Sequence, residues 1–100
     1  NARLRLPAFM VLKAANPNQV TIDGSCELTG ILLPEDATNK TLVWSVSNPK
    51  LSLSATKTQS GDAVTITASE AYEGALQVMA KAENDYKIFA TCEVYFPLEA

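Results

Sequence analysis

Histidine is missing from these 100 residues, and with it goes the usual general base near neutral pH. Ser-His-Asp and Cys-His nucleophile arrangements cannot be assembled, and the commonest zinc ligand is lost. Basic charge is thin as well: 8 Lys and Arg stand against 11 Asp and Glu, for a net charge of −3. Apart from Arg3 and Arg5 the cations are scattered singly, so no basic face can neutralise phosphates, and nucleic acid is not an expected partner. The longest apolar run, Pro7 to Leu12, falls far short of the roughly 20 residues a spanning helix needs, so no membrane insertion is expected. No basic-then-apolar leader opens the chain, and its start at Asn1 reads as a segment of a longer or processed protein. Cysteine occurs twice, at Cys26 and Cys92, too far apart for a zinc knuckle or a Cys-x-x-Cys redox motif. The pair is either one bridge or two buried thiols.

What is present is an ordinary globular composition, 47% apolar and 19% charged. A chain of this length buries roughly two-thirds of the surface its unfolded form exposes, enough for one core and no second. Residues 1–100 are therefore expected to form a single domain, with no internal repeat or Gly/Ser-rich linker dividing it.

Periodicity points to strands, not helices. Phe9 to Ala14 is a first extended piece, broken at Asn16-Pro17-Asn18, and Gln19 to Asp23 resumes as a short strand. After the turn dipeptide Asp23-Gly24, Cys26, Leu28, Gly30 and Leu32 share one face. Past a polar loop, Leu42, Trp44 and Val46 share a face of the next strand, with Trp44 the natural core anchor. Asn48-Pro49 ends that strand. Leu51 to Ser54 alternates briefly before the polar run Thr56 to Asp62, and Val64, Ile66 and Ala68 turn inward on the strand that follows. Glu70 to Gly74 reads as a turn or single helical turn. Leu76, Val78 and Ala80 then alternate, and after Asn84-Asp85 the last strand sets Ile88, Ala90, Cys92, Val94 and Phe96 on one face and Phe89, Thr91, Glu93 and Tyr95 on the other. Seven or so short strands with frequent turns and no long crossover imply an all-β Greek-key sandwich of two antiparallel sheets, with a small closed barrel as the alternative.

The run Leu33-Pro34-Glu35-Asp36-Ala37-Thr38-Asn39-Lys40-Thr41-Leu42-Val43-Trp44-Ser45-Val46-Ser47-Asn48-Pro49 resembles the bacterial immunoglobulin-like domain, group 2, whose pattern is a Pro, then Asp/Asn-Ala-Thr-Asn-Lys, then Trp-Ser-x-Ser-Asn-Pro on a strand. Asp23-Gly24 with the alternation to Leu32, Gly74 to Lys81, and Ala90-Thr91-Cys92-Glu93-Val94 are similar to the family's second strand and its last two, so the likeness spans about residues 19–96. Residues 1–18 are left as a first strand and a linker from a preceding domain. Where the family carries a denser glycine pattern in its second half, this chain has Gly61 and Gly74. The resemblance implies an immunoglobulin-like sandwich in a bacterial or phage surface or secreted protein, joined in tandem to neighbouring domains.

The remaining chemistry is sparse. Cys26 and Cys92 both fall on inward positions, where a bridge needs Cα atoms within about 7 Å, and where two unbridged thiols would act as small hydrophobes. Asp23, Asp36, Asp62, Glu70, Glu73 and Asp85 sit in turns without the Asp-x-Asp-x-Asp spacing of a calcium loop. Glu70 and Glu73 lie on one turn and cannot flank a glycosidic bond from opposite sides. Asn39-Lys40-Thr41 matches a glycosylation acceptor and equally the family's loop. Phe89 and Tyr95, outward on the last strand, are the candidate ligand contacts. They would stack on a sugar ring, anchor a host protein, or pack under the N-terminal segment Arg3 to Leu12. No nucleophile with its base, metal cluster or phosphate loop emerges, and no cofactor is expected. The expected function is a non-catalytic spacer at the cell surface or outside the cell, with adhesion or carbohydrate binding through exposed aromatics as the alternative.

Overall fold

The computed structural model describes residues 8–14, 19–22 and 24–96. Arg3, Arg5, the break at Asn16-Pro17-Asn18 and Asp23 of the expected Asp23-Gly24 turn lie outside the described residues. Eight strands follow in order, β1 (Phe9–Ala14), β2 (Ser25–Leu33), β3 (Thr41–Val46), β4 (Leu51–Leu53), β5 (Lys57–Gln59), β6 (Ala63–Ala68), β7 (Ala75–Ala82) and β8 (Asp85–Tyr95). They form two four-stranded antiparallel sheets, ordered β1-β2-β6-β4 and β5-β3-β7-β8. The structure is a β-sandwich and not a closed barrel, because each sheet keeps its own two edges.

Alternation explains which residues meet between the sheets. Cys26, Leu28, Gly30 and Leu32 of β2, with Val64, Ile66 and Ala68 of β6, face Leu42 and Trp44 of β3, Val78, Ala80 and Ala82 of β7 and Val94 of β8. Most of these side chains are fully enclosed, and no buried polar side chain among the described residues lacks a partner. Gly30 is the tight point. A Cβ there would run into Leu42 Cδ2 and come within 3.0 Å of Trp44 Cζ2, so a strand position between Leu28 and Leu32 has to be glycine for the two sheets to close on the indole.

On each side of the sandwich neighbouring stretches of chain pair with different sheets. Residues 51–59 pair first with β6, through Leu51 opposite Ala68 and Leu53 opposite Ile66, and then with β3, through Lys57 opposite Val43 and Gln59 opposite Thr41. Between the two stretches Ser54 exchanges hydrogen bonds with Thr65, and the Thr56 carbonyl accepts from Trp44 N–H at 2.8 Å. On the other side β1 pairs with β2, while Gln19 bridges Tyr95 in parallel and Val20 N–H donates to the Tyr95 carbonyl at 2.9 Å. Such switches turn the corners of a sandwich and cover edges that would otherwise invite pairing with another chain.

Three local expectations differ. The polar run after Ser54 contains a strand, β5, because Thr58 alone has to turn inward while Lys57 and Gln59 stay in water. Gln19 to Val20 makes a single bridge where a short strand is expected. Glu70 to Gly74 is an irregular bend with Gly74 at φ 78°, without a helical turn. In that bend Tyr72 is buried, its hydroxyl donating to the Val94 carbonyl at 3.1 Å and its ring meeting Phe96 edge-on at 5.2 Å. Burial, with a smaller contribution from Cys26, raises the Tyr72 pKa above the ordinary tyrosine value, so the phenol stays a donor.

The first and last described residues lie at opposite ends of the sandwich. Ala8 N–H bonds the Leu33 carbonyl at the end that holds the β2–β3 loop and the β7–β8 hairpin. Phe96 N–H bonds the Gly74 carbonyl at the end that holds the β3–β4 and β6–β7 connections.

Candidate functional site

The outer face of the β5-β3-β7-β8 sheet carries the exposed aromatics, and its layout follows from an irregularity in the last hairpin. Ala82 opposes Asp85 around the two-residue turn Glu83-Asn84, yet Lys81 opposes Phe89, so Tyr86, Lys87 and Ile88 have no counterpart on β7. An odd insertion reverses the parity of everything beyond it. Without it Phe89 would stand opposite inward-facing Val78 and be driven into the core. With it, Ile88, Ala90, Cys92 and Val94 turn inward and Phe89, Thr91, Glu93 and Tyr95 face out.

Phe89 and Tyr95 are 53% and 43% exposed. They share a face, but six residues of extended strand separate them by about 20 Å, so they do not form one site. The described part of the N-terminal segment leaves both rings exposed, although β1 lies against β8 and Gln19 bridges Tyr95. The aromatic that joins Phe89 is Tyr86, 60% exposed and displaced by the insertion, with Lys81 Nζ 5.3 Å from its ring centroid. Lys81 is also the cross-strand partner of Phe89, so three side chains from the hairpin gather on one patch. In the sequence Tyr86 stands out only as an aromatic beside a turn, and Lys81 not at all, since a simple two-residue turn implies a different register. The signal available was the turn itself, which places residues 81 and 86 on either side of one hairpin.

Around the patch the polar groups are organised. Lys57 Nζ lies 2.9 Å from Glu83 Oε2, and Asn39 Nδ2 donates to Glu83 Oε1 at 3.3 Å. Hydrogen bonding from Lys57, then from Asn39, holds the Glu83 carboxyl below its ordinary range, and the same contact raises Lys57. Asn39 Oδ1 accepts from Thr41 N–H at 2.8 Å, so the Asn39-Lys40-Thr41 motif fastens the β2–β3 loop to the hairpin. Asp85 Oδ1 accepts from Lys87 N–H at 3.0 Å, shaping the insertion as an Asx turn. Residues Glu83 to Lys87 line an open hollow of about 520 Å3.

The other candidates lie elsewhere. Trp44 is 2% exposed at the centre of the sandwich, and its Nε1–H donates to Thr58 Oγ1 at 2.7 Å. Cys26 and Cys92 are two thiols and not a disulfide. Cys26 is buried on β2, opposite Ile66, whereas Cys92 is half-buried on β8, opposite Val78, and β8 lies against β1. Each S–H points to the next residue's carbonyl, Glu27 at 3.8 Å and Glu93 at 3.7 Å. Glu70, Glu73, Asp36 and Asp62 are exposed and spread over separate turns. Among the described residues no group of three His, Cys, Asp or Glu side chains is placed to hold a metal ion.

No protein family, no curated protein and no solved structure matches the chain.

Proposed function

We propose that this chain is an immunoglobulin-like Greek-key sandwich acting as a non-catalytic structural spacer within a bacterial or phage surface or secreted protein, its partners being the neighbouring domains of a longer chain. The observation that carries this reading is that the first and last described residues lie at opposite ends, with Ala8 bonded beside Leu33 and Phe96 beside Gly74. Modules joined through such ends add their full length to a string instead of folding back on one another. Two further features support it. Tyr72, at the corner between β6 and β7, ties that corner to β8 through its hydroxyl on the Val94 carbonyl, which fits a sandwich whose ends are held firm. The Leu33 to Pro49 run supplies the family likeness from which the extracellular setting comes.

Small-angle scattering on one copy and on two copies joined end to end tests the spacer reading. β8, 11 residues long, spans about 35 Å, so the second copy is expected to lengthen the particle by about that amount. A tandem no longer than a single copy overturns it.

A further inference from the structure

We propose that the β7–β8 hairpin is a carbohydrate-binding site, in which Tyr86 and Phe89 present aromatic faces to a neutral pyranose while Asn84, Asp85 and Lys87 bond its hydroxyls. This goes beyond the spacer reading and stands or falls separately from it.

The first argument is the position of the aromatics. At 60% and 53% exposure Tyr86 and Phe89 are two open rings on one hairpin, whereas Phe9, at 54%, stands alone on β1 in the other sheet. They are brought to one patch by the insertion of Tyr86, Lys87 and Ile88, the kind of bulge that re-aims side chains. The second is the hollow beside them. Its lining of Glu83, Asn84, Asp85, Tyr86 and Lys87 sets hydrogen-bond donors and acceptors next to a ring within five consecutive residues. A pyranose has that same division, an apolar C–H face and a rim of hydroxyls that both donate and accept.

Charge narrows the ligand further. Glu83 is neutralised by Lys57, and Lys81 is drawn to the Tyr86 ring. Asp85, Lys87 and the still-charged Lys81 then remain, a net charge of +1, with one Asp85 oxygen accepting from Lys87 N–H and the other offered to a ligand. A surplus of one positive charge is too little to hold a polyanion such as nucleic acid, and the mixed donors and acceptors match the hydroxyls of an uncharged sugar. A stable protein partner needs about 800 Å2 on each side, more than two rings and one hairpin turn provide. The hollow is open, so affinity for one disaccharide is expected near the millimolar range, where each tenfold corresponds to about 1.4 kcal/mol.

Titration of the 15N-labelled protein with cellobiose, maltose, lactose and N,N′-diacetylchitobiose tests the site by amide shifts. Saturable shifts confined to residues 83–89 and 81 with at least one of the four are expected. Affinity should fall at least tenfold in Tyr86→Ala and in Phe89→Ala and stay unchanged in Tyr95→Ala, which lies at the far end of the same strand. Because Tyr86 and Phe89 are exposed, both variants should keep the wild-type melting temperature, so lost binding cannot be assigned to lost folding. Silence with all four sugars, shifts centred elsewhere, or equal affinity in the two variants overturns the proposal. A protein ligand on this face would give the first of those results.

Discussion

The two faces of the β5-β3-β7-β8 sheet use aromatics in opposite ways. On the inner face Trp44 is enclosed, its ring against Gly30 and Leu42 of two different sheets and its one polar atom bonded to Thr58. On the outer face Tyr86 and Phe89 stand in water, with Lys81 the one cation stacked on a ring among the described residues. The difference does not come from residue type. It comes from strand parity, which for Phe89 a regular hairpin would have set inward and an insertion of three residues sets outward. The inner face is therefore where substitutions cost stability, and the outer face is where they leave stability alone.

Trp44→Ala should give the largest effect. It removes the central ring and leaves Thr58 Oγ1 facing a cavity, for a loss of about 3–5 kcal/mol in denaturant unfolding. An unchanged midpoint would mean that the inner face is not tightly packed. Gly30→Ala comes next. It adds a single methyl against Leu42 and Trp44, at a cost of about 1–3 kcal/mol by overpacking, and the same measurement should show it although no contact is removed. Gly61→Ala, where nothing lies within 4 Å but φ is 93°, is the useful contrast: any cost there arises from backbone strain alone.

Thr58→Val preserves shape and removes the acceptor for Trp44 Nε1–H. Leaving that buried donor unpaired should cost about 1 kcal/mol and shift the Trp44 fluorescence, which separates loss of the bond from loss of packing. The smallest effect belongs to the exposed pair at the rim. Glu83 is lowered and Lys57 raised by their mutual contact, so the pair contributes above the ordinary carboxylate value of 4.5 and below the ordinary lysine value of 10.5. Its contribution is lost as pH falls through the lowered Glu83 value or rises through the raised Lys57 value. A slight difference in melting temperature between wild type and Glu83→Gln at neutral pH should close in acid and shrink in high salt. A difference that persists in acid would place the effect of Glu83 in its bond to Asn39.

Much of the architecture could be read from spacing. The limits of β1 at Phe9 and Ala14, the inward sets on β2, β3, β6 and β7, and the alternation of β8 from Ile88 to Val94 all follow from period-two hydrophobicity, because a half-buried strand has to segregate its two faces. β5 could not be read so. Lys57-Thr58-Gln59 has no apolar residue, and it becomes a strand because β3 offers an unpaired edge and Trp44 offers a donor. The candidate site was half legible. Phe89 stood out as an outward aromatic, but its grouping with Tyr86 and Lys81, and its separation from Tyr95, depend on a register that no single strand contains.

By itself the sequence determined that this chain is all-β, that it has one core centred on Trp44, and that histidine-based chemistry is closed to it, since these follow from composition and from the alternation of neighbouring residues. Only the tertiary structure decided which strands are neighbours, where residues 51–59 change sheets, that Cys26 and Cys92 are two thiols and not a bridge, and which aromatics share a surface. The physical reason is range. Facing is set by residues two apart, whereas pairing is set by hydrogen bonds and packing between segments tens of residues apart, which compete with one another until the whole sandwich closes.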